Sequence, residues 1–140
     1  MEVLLVEDNL GDVRLITEAF KDSKIIKKCH VVKDGIEAFQ FLKREGDFSN
    51  SPRPDVIILD LNLPRMNGFE VLSELKNNTS FVKIPVVVLT SIDKEEYVKK
   101  CYELYANCYI VKPTELKEFE KVVKKIESFW GNIATLPMKD

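Results

Sequence analysis

Val56-Ile57-Ile58-Leu59-Asp60 is an unbroken apolar run, rich in β-branched residues, that ends in a carboxylate. A run of that kind reads as a strand of a parallel sheet, buried on both faces. Others share its form. Val3 to Val6 ends in Glu7 and Asp8, His30 to Val32 is a shorter run, Val86 to Leu89 ends in Thr90, and Cys108 to Val111 ends in Lys112-Pro113. The segments between them carry apolar residues at helical spacing. These are Leu15, Ile16, Ala19 and Phe20; then Ile36, Phe39 and Leu42; then Phe69, Leu72 and Leu75; then Tyr97, Val98, Cys101, Leu104 and Tyr105. The last series is Leu116, Phe119, Val122, Val123, Ile126, Phe129 and Trp130. Five strands thus alternate with five helices. Alternation of this kind, with right-handed crossovers, predicts an α/β doubly wound parallel sheet with helices on both faces.

In such a sheet, ligands bind beyond the carboxyl ends of the strands. Glu7, Asp8, Asp60, Thr90 and Lys112 all fall at those ends, so the pattern predicts one site that holds acids, a hydroxyl and an ammonium. A carboxylate attacks a phosphoryl group poorly because like charges must approach, and a divalent cation relieves the repulsion. Mg²⁺ accepts one or two carboxylates, a carbonyl oxygen and water. Asp8 and Asp60 are the candidate direct ligands, with Glu7 acting through a water and the Asn62 backbone carbonyl completing the set. Lys112 is expected to pair with a phosphoryl oxygen, and Thr90 to bond another. The chemistry implied is phosphoryl transfer to Asp60.

Composition narrows the classes. The chain has 140 residues, which suits one domain, and its 21 basic and 23 acidic residues leave a net charge of -2. That balance argues against non-specific nucleic-acid binding. No apolar stretch approaches the length of a membrane span, and no leader precedes the first strand, so a cytoplasmic protein without membrane insertion is expected. Three cysteines, Cys29, Cys101 and Cys108, form no CxxC pair and read as small buried apolar residues. His30, the one histidine, reads as structural. Lys27 and Lys28, and the lysines Lys117, Lys121, Lys124 and Lys125 of the last helix, read as solvated faces. Gly46 to Pro54 is expected to be a surface loop. The helical pattern stops at Gly131, which divides the chain into a domain over 1–130 and a tail over 131–140.

The sequence resembles the receiver domains of two-component response regulators. The resemblance rests on Val6-Glu7-Asp8-Asn9, on Asp60-Leu61-Asn62-Leu63-Pro64-Arg65-Met66-Asn67-Gly68, on Thr90, and on Tyr109-Ile110-Val111-Lys112-Pro113. It covers nearly the whole chain, and the loop before Asp55 with Ala106 to Ile110 is most similar to stand-alone regulators of cyanobacterial-type phytochrome kinases. The resemblance implies a flavodoxin-like fold with strand order 2-1-3-4-5 and no effector domain. It implies Asp60 as phosphoacceptor, Glu7 and Asp8 as the acidic pocket, Thr90 and Tyr109 as the switch pair, and a cis peptide between Lys112 and Pro113. It also implies Mg²⁺ as cofactor, a cognate sensor histidine kinase and a downstream protein target as partners, and signalling through the surface of the fourth helix, fifth strand and fifth helix. Such a protein is no turnover enzyme, being limited to self-phosphorylation from small donors and autodephosphorylation.

Ser91 and Ile92 depart from the common pattern of the family, and Ile92, with Asn62, is expected to govern access of hydrolytic water. All four tyrosines, Tyr97, Tyr102, Tyr105 and Tyr109, lie around the expected switch. Helical spacing places Tyr97, Cys101, Leu104 and Tyr105 on the sheet-facing side and leaves Tyr102 as the interface candidate, with a homodimer among the possible outcomes. Two rival functions remain at this level. A phosphohydrolase passing through an aspartyl phosphate usually needs a second acid two residues after the nucleophile and a cap domain, but Asn62 stands in that position and the chain has no room for a cap. An adaptor that no longer accepts phosphate is weakened as an alternative by the intact acid, hydroxyl and lysine set.

Overall fold

The structure is a computed structural model that describes residues 1–137. The expected alternation is present. β1 (Glu2–Val6), β2 (Lys28–Val32), β3 (Val56–Leu59), β4 (Val86–Thr90) and β5 (Cys108–Val111) form one sheet. The helices are α1 (Leu10–Lys21), α2 (Gly35–Lys43), α3 (Gly68–Lys76), α4 (Glu95–Glu103) and α5 (Leu116–Ser128). All strand pairs are parallel, in the order β2-β1-β3-β4-β5.

Strand alternation divides the core in two. Leu4, Val6, Ile57, Leu59, Val86 and Val88 face one layer with Phe39, Phe41, Val71, Leu72, Leu75 and Cys101. Val3, Leu5, Val56, Ile58, Val87 and Leu89 face the other, with Ile16, Phe20, Phe119, Val123 and Ile126. The central strands are therefore apolar at every position, as double-sided burial demands. β1, β3, β4 and β5 all deliver their carboxyl ends to one edge, where the backbone steps directly into the candidate site. Asp60 N–H donates to the Val6 carbonyl, Glu7 N–H to that of Val32, and Lys112 N–H to that of Thr90.

Three helices begin on side-chain caps. Asn9 accepts from Asp12 N–H, Asp34 from Glu37 N–H, and Asn67 forms a reciprocal box with Glu70. Each cap satisfies a backbone donor that the helix itself leaves open. α4 and α5 follow Lys94 and Glu115, neither of which makes a side-chain cap.

Several expectations are corrected. The loop over 46–54 runs over the surface as expected, with Gly46, Asp47, Ser49 and Asn50 exposed, but it contains a 3₁₀ turn at Gly46–Phe48 and two inward anchors: Phe48 packs edge-on against Phe41, and the Ser51 hydroxyl donates to the Phe41 carbonyl at 2.6 Å. The helical path does not stop at Gly131 but continues as a π turn over Phe129–Ile133. A Cβ on Gly131 would lie 2.4 Å from Ile25 Cγ2, so that glycine marks close packing on the segment before β2. Of the expected tail, 138–140 lies outside the described residues. Tyr105 does not face the sheet, because α4 ends at Glu103 and Tyr105 takes a left-handed φ of 67°. Its side chain is 76% exposed, more than the 49% of Tyr102. Helical spacing cannot be extended past a chain reversal. His30 sits in a structural setting, paired with Glu2 at 2.8 Å and with its ring tilted 52° against that of Phe41 at 5.1 Å.

Gly68 opens α3 immediately behind the site. A Cβ there would stand 2.5 Å from both the Asp60 carbonyl oxygen and Leu61 Cα, which are backbone atoms that cannot swing aside. Gly68→Ala is expected to destabilise the fold by about 2–3 kcal/mol, in the upper part of the overpacking range. Urea denaturation checks this, and a loss below about 0.5 kcal/mol, the scatter of ordinary surface changes, would show that the backbone yields.

Candidate functional site

Four elements meet at the carboxyl edge of the sheet. Glu7 leaves β1, Asp60 leaves β3, Thr90 ends β4 and Lys112 leaves β5, and all four side chains are buried. The parallel register brings together residues that are far apart in sequence. Lys112 Nζ donates to Asp60 Oδ2 at 3.0 Å and to Glu7 Oε2 at 3.1 Å. Its third and shortest bond, 2.8 Å, goes to Asp12 Oδ2 in the first turn of α1. The spacing of apolar runs had not singled out Asp12. The only local signal was an acid three residues after the capping Asn9, and that pattern reads equally well as favourable placement at a helix N-terminus.

The electrostatics are those of a shared cation in a dry pocket. Burial pushes the Glu7 carboxyl up, its hydrogen bond to Asp60 and the Asp60 charge push it further, and together they outweigh Lys112 and bring it to about 8. Burial also works to raise Asp60, but the hydrogen bond with Glu7, the Lys112 charge and a bond from Thr90 hold it below the usual carboxylate range. Two adjacent acids are thereby driven apart, Glu7 upward and Asp60 downward. Burial alone would lower Lys112. The Asp12 hydrogen bond, followed by the charges of Asp60 and Glu7, raises it instead. Removing one partner from such a buried set leaves an uncompensated charge, which typically costs about 3–5 kcal/mol.

Asp60 is oriented by the backbone as well. Its Oδ1 accepts from Leu61 N–H at 2.7 Å, leaving Oδ2 toward Lys112. Asp8 and Asn62 lie on the exposed rim of the same edge. Among the described residues, no three acidic, histidine or cysteine side chains converge as a ready-made metal cage. The donors nevertheless suit a hard cation that takes one or two carboxylates, a carbonyl and several waters, which needs no such cage.

The switch candidates lie beside this pocket. The Ile92 N–H faces Thr90 Oγ1 at 3.4 Å, and the Tyr109 hydroxyl donates to the Ile92 carbonyl at 2.6 Å. Burial pushes the Tyr109 phenol up to about 12, so it remains a donor at neutral pH. No peptide bond is cis among the described residues, so the Lys112-Pro113 bond is trans, against expectation. The intrinsic preference between the isomers at a proline is only about 0.5–1 kcal/mol, so packing decides it, and Lys112 reaches its three carboxylates from the trans form.

A second ion pair braces the loop between β3 and α3. Arg65, at a left-handed φ of 58°, donates through Nε to Asp34 Oδ2 at 2.8 Å and through Nη2 to Asp34 Oδ1 at 3.0 Å. Gly35 N–H also donates to the Met66 carbonyl, so the entrance of α2 is tied to the loop that carries Asn62.

Residues 3–124 match the family model described as the response regulator receiver domain. Fold and match together define the class, and the chain belongs to that family. Among its relatives, the response regulator Rcp1 of Synechocystis sp. is 48% identical over 135 residues, covering 96% of this chain and 92% of the relative. A crystal structure of the Mn²⁺-bound form of Rcp1 superposes with a TM-score of 0.93 at 47% identity, over 98% of this chain and 99% of that one. The phosphorylated cyanobacterial phytochrome response regulator RcpA superposes at 0.94 with 45% identity, covering 98% of each chain. The expected family and strand order are thus borne out, and the class is that of signalling proteins rather than classical enzymes. No helix among the described residues is long and apolar enough to cross a membrane.

The brace gives the site an acid sensitivity. Burial pushes Asp34 up, but the Arg65 hydrogen bonds, the Glu37 N–H and the Arg65 charge hold it below its ordinary 3.8. With the folded value below the unfolded one, the pair's stabilisation is complete above about pH 4 and is lost as pH falls through the folded value. Asp34→Asn keeps a capping side chain but loses the charge. Wild type is therefore expected to be the more stable above about pH 4 and to lose that advantage in more acidic solution, as read by denaturation at each pH. A constant difference would show that the pair carries no linkage.

Proposed function

We propose that this receiver takes a phosphoryl group from the phosphohistidine of a sensor kinase onto Asp60 and relays it as a change of surface. The observation that carries the reading is the buried Asp60 carboxylate at a strand end, bonded at 3.0 Å to a buried Lys112 that also reaches Glu7 at 3.1 Å. Transfer forms a bond from phosphorus to an Asp60 oxygen and breaks the bond to the donor, which leaves with the electron pair. Asp8, Asp60 and the Asn62 carbonyl would hold Mg²⁺, with Glu7 acting through a water; the cation supplies charge that offsets repulsion between carboxylate and phosphoryl oxygens. Lys112 turns a donor to one phosphoryl oxygen and Thr90 bonds another. The added charge rewards any arrangement that draws these two inward.

As Thr90 moves in, Tyr109 gives up the Ile92 carbonyl and rotates into the space, altering the surface of α4, β5 and α5. A full reversal of a two-state balance from 1:99 to 99:1 takes about 5.5 kcal/mol, so weaker phosphate contacts give partial activation. The surface includes the exposed Tyr102 of α4, our interface candidate for a downstream protein or a second copy, and the still more exposed Tyr105 extends it. Likeness to RcpA, a phytochrome response regulator, favours a light-sensing kinase of the phytochrome type as donor, in the cytoplasm.

With acetyl phosphate and Mg²⁺, wild type is expected to gain one phosphoryl adduct by intact mass, and Asp60→Asn none. Failure of wild type under conditions that load another receiver would favour a phosphate-independent adaptor.

Ile92, in the loop after Thr90, is partly buried against the core, and in this reading its bulk hinders water from reaching Asp60. Replacing it with an acid opens that approach and offers a group to orient water. Ile92→Glu is expected to shorten the phosphoryl lifetime several-fold after removal of the donor. An equal or longer lifetime would overturn the role given to Ile92.

A further inference from the structure

Lys112 presents three N–H donors, and all three are taken by carboxylates on three different elements. A phosphoryl oxygen can be bonded by this ammonium only if one of those bonds is released. The three acceptors are unequal. The side chains of Glu7 and Asp60 are 2% and 8% exposed, whereas that of Asp12 is 27% exposed. A buried acid that lost the ammonium would be left with neither that partner nor solvent, whatever its charge, but the more exposed Asp12 can exchange the ammonium for water. Asp12 also sits in the first turn of α1, where unpaired helix N–H groups favour a negative side chain whether or not a lysine is near. Its backbone is fixed independently by the N–H bond to Asn9 Oδ1 at 3.0 Å, so letting go of Lys112 does not loosen the helix entrance.

We infer that Asp12 is a resting-state latch on Lys112, a positioning residue that restrains phosphorylation of Asp60 by holding the ammonium and adding negative charge at the mouth of the pocket. The inference rests on Asp60 as the acceptor. During transfer, the bond between phosphorus and the donor atom, an imidazole nitrogen in phosphohistidine or an oxygen in acetyl phosphate, breaks with its electron pair leaving on the donor, and the bond to an Asp60 oxygen forms. One Lys112 N–H passes from Asp12 to a phosphoryl oxygen, and water replaces it at Asp12. No proton changes hands. Glu7 and Asp60 stay in the pocket throughout, so Asp12 is the partner that yields.

The test is the rate of phosphorylation by acetyl phosphate at saturating Mg²⁺, followed by intact mass, for wild type, Asp12→Asn, Asp12→Glu and Glu18→Gln. Asp12→Asn keeps the size and helix position but removes the charge, and is expected to react on the order of two- to fivefold faster, the range a partly exposed ion pair supports. Asp12→Glu restores the charge and is expected to return the rate to near that of wild type. Glu18→Gln removes a charge from an exposed position of the same helix and is expected to leave the rate unchanged. A rate for Asp12→Asn equal to or below wild type would overturn the latch, as would equal acceleration by Glu18→Gln, which would assign the effect to bulk charge. Wild type that takes up no phosphoryl group would overturn the Asp60 reading, and the latch with it. Thermal melts of each variant report folding, and Asp12→Glu separates lost charge from a disturbed helix.

Discussion

A single ammonium group holds the working edge of this protein together. Lys112 leaves β5, crosses to the far side of β4, and finds acids that come from β1, β3 and α1. Without a cation there, burying Glu7 and Asp60 side by side would be prohibitive, since like charges out of water cannot both remain ionised. With it, the two acids are shifted in opposite directions, Glu7 upward and Asp60 downward. The strength of such an arrangement lies less in net stability than in orientation, because desolvation offsets much of the Coulomb attraction. The pocket is thus held by paired charges drawn from four separate elements.

The rest of the fold holds those groups in register. β1 and β3 are adjacent at the centre of the sheet and their residues are almost wholly buried, so Glu7 and Asp60 cannot drift without disturbing both cores. Behind Asp60, Gly68 lets α3 start against the strand end, and beside it the Arg65–Asp34 fork fixes the loop that follows. On the β4 side, Thr90 is as buried as the acids, and Ile92 connects it to Tyr109 through two hydrogen bonds.

What could be read from residues alone follows from the same physics. Strands buried on both faces leave continuous apolar runs, so their ends, and with them Glu7, Asp60, Thr90 and Lys112, were visible without coordinates. Strand order was not visible in periodicity and came from the family motifs. Asp12 was hidden because a helical acid looks the same whether it faces water or reaches back to a lysine 100 residues later. The Arg65–Asp34 pair was hidden for a similar reason, since it depends on a left-handed turn after Pro64 that no spacing rule announces. Tyr105 was misplaced because helical spacing was carried one step beyond the end of α4, and the extra turn at Phe129–Ile133 was missed because Gly131 reads as a stop when no neighbour is known to need its missing side chain.

The uneven capping of the helices has a consequence for where the molecule breathes. α1, α2 and α3 each start on a side-chain cap of a kind worth about 1 kcal/mol, whereas α4 starts on Lys94 and α5 on Glu115 with none. The first turn of α4 therefore sits at the shallow end of the local unfolding spectrum. That turn directly follows the Thr90 loop. A displacement of the hydroxyl can be absorbed by fraying a few backbone bonds there, without bending a strand or opening either core. In this light the missing cap leaves the first turn of α4 as a place where local opening costs little.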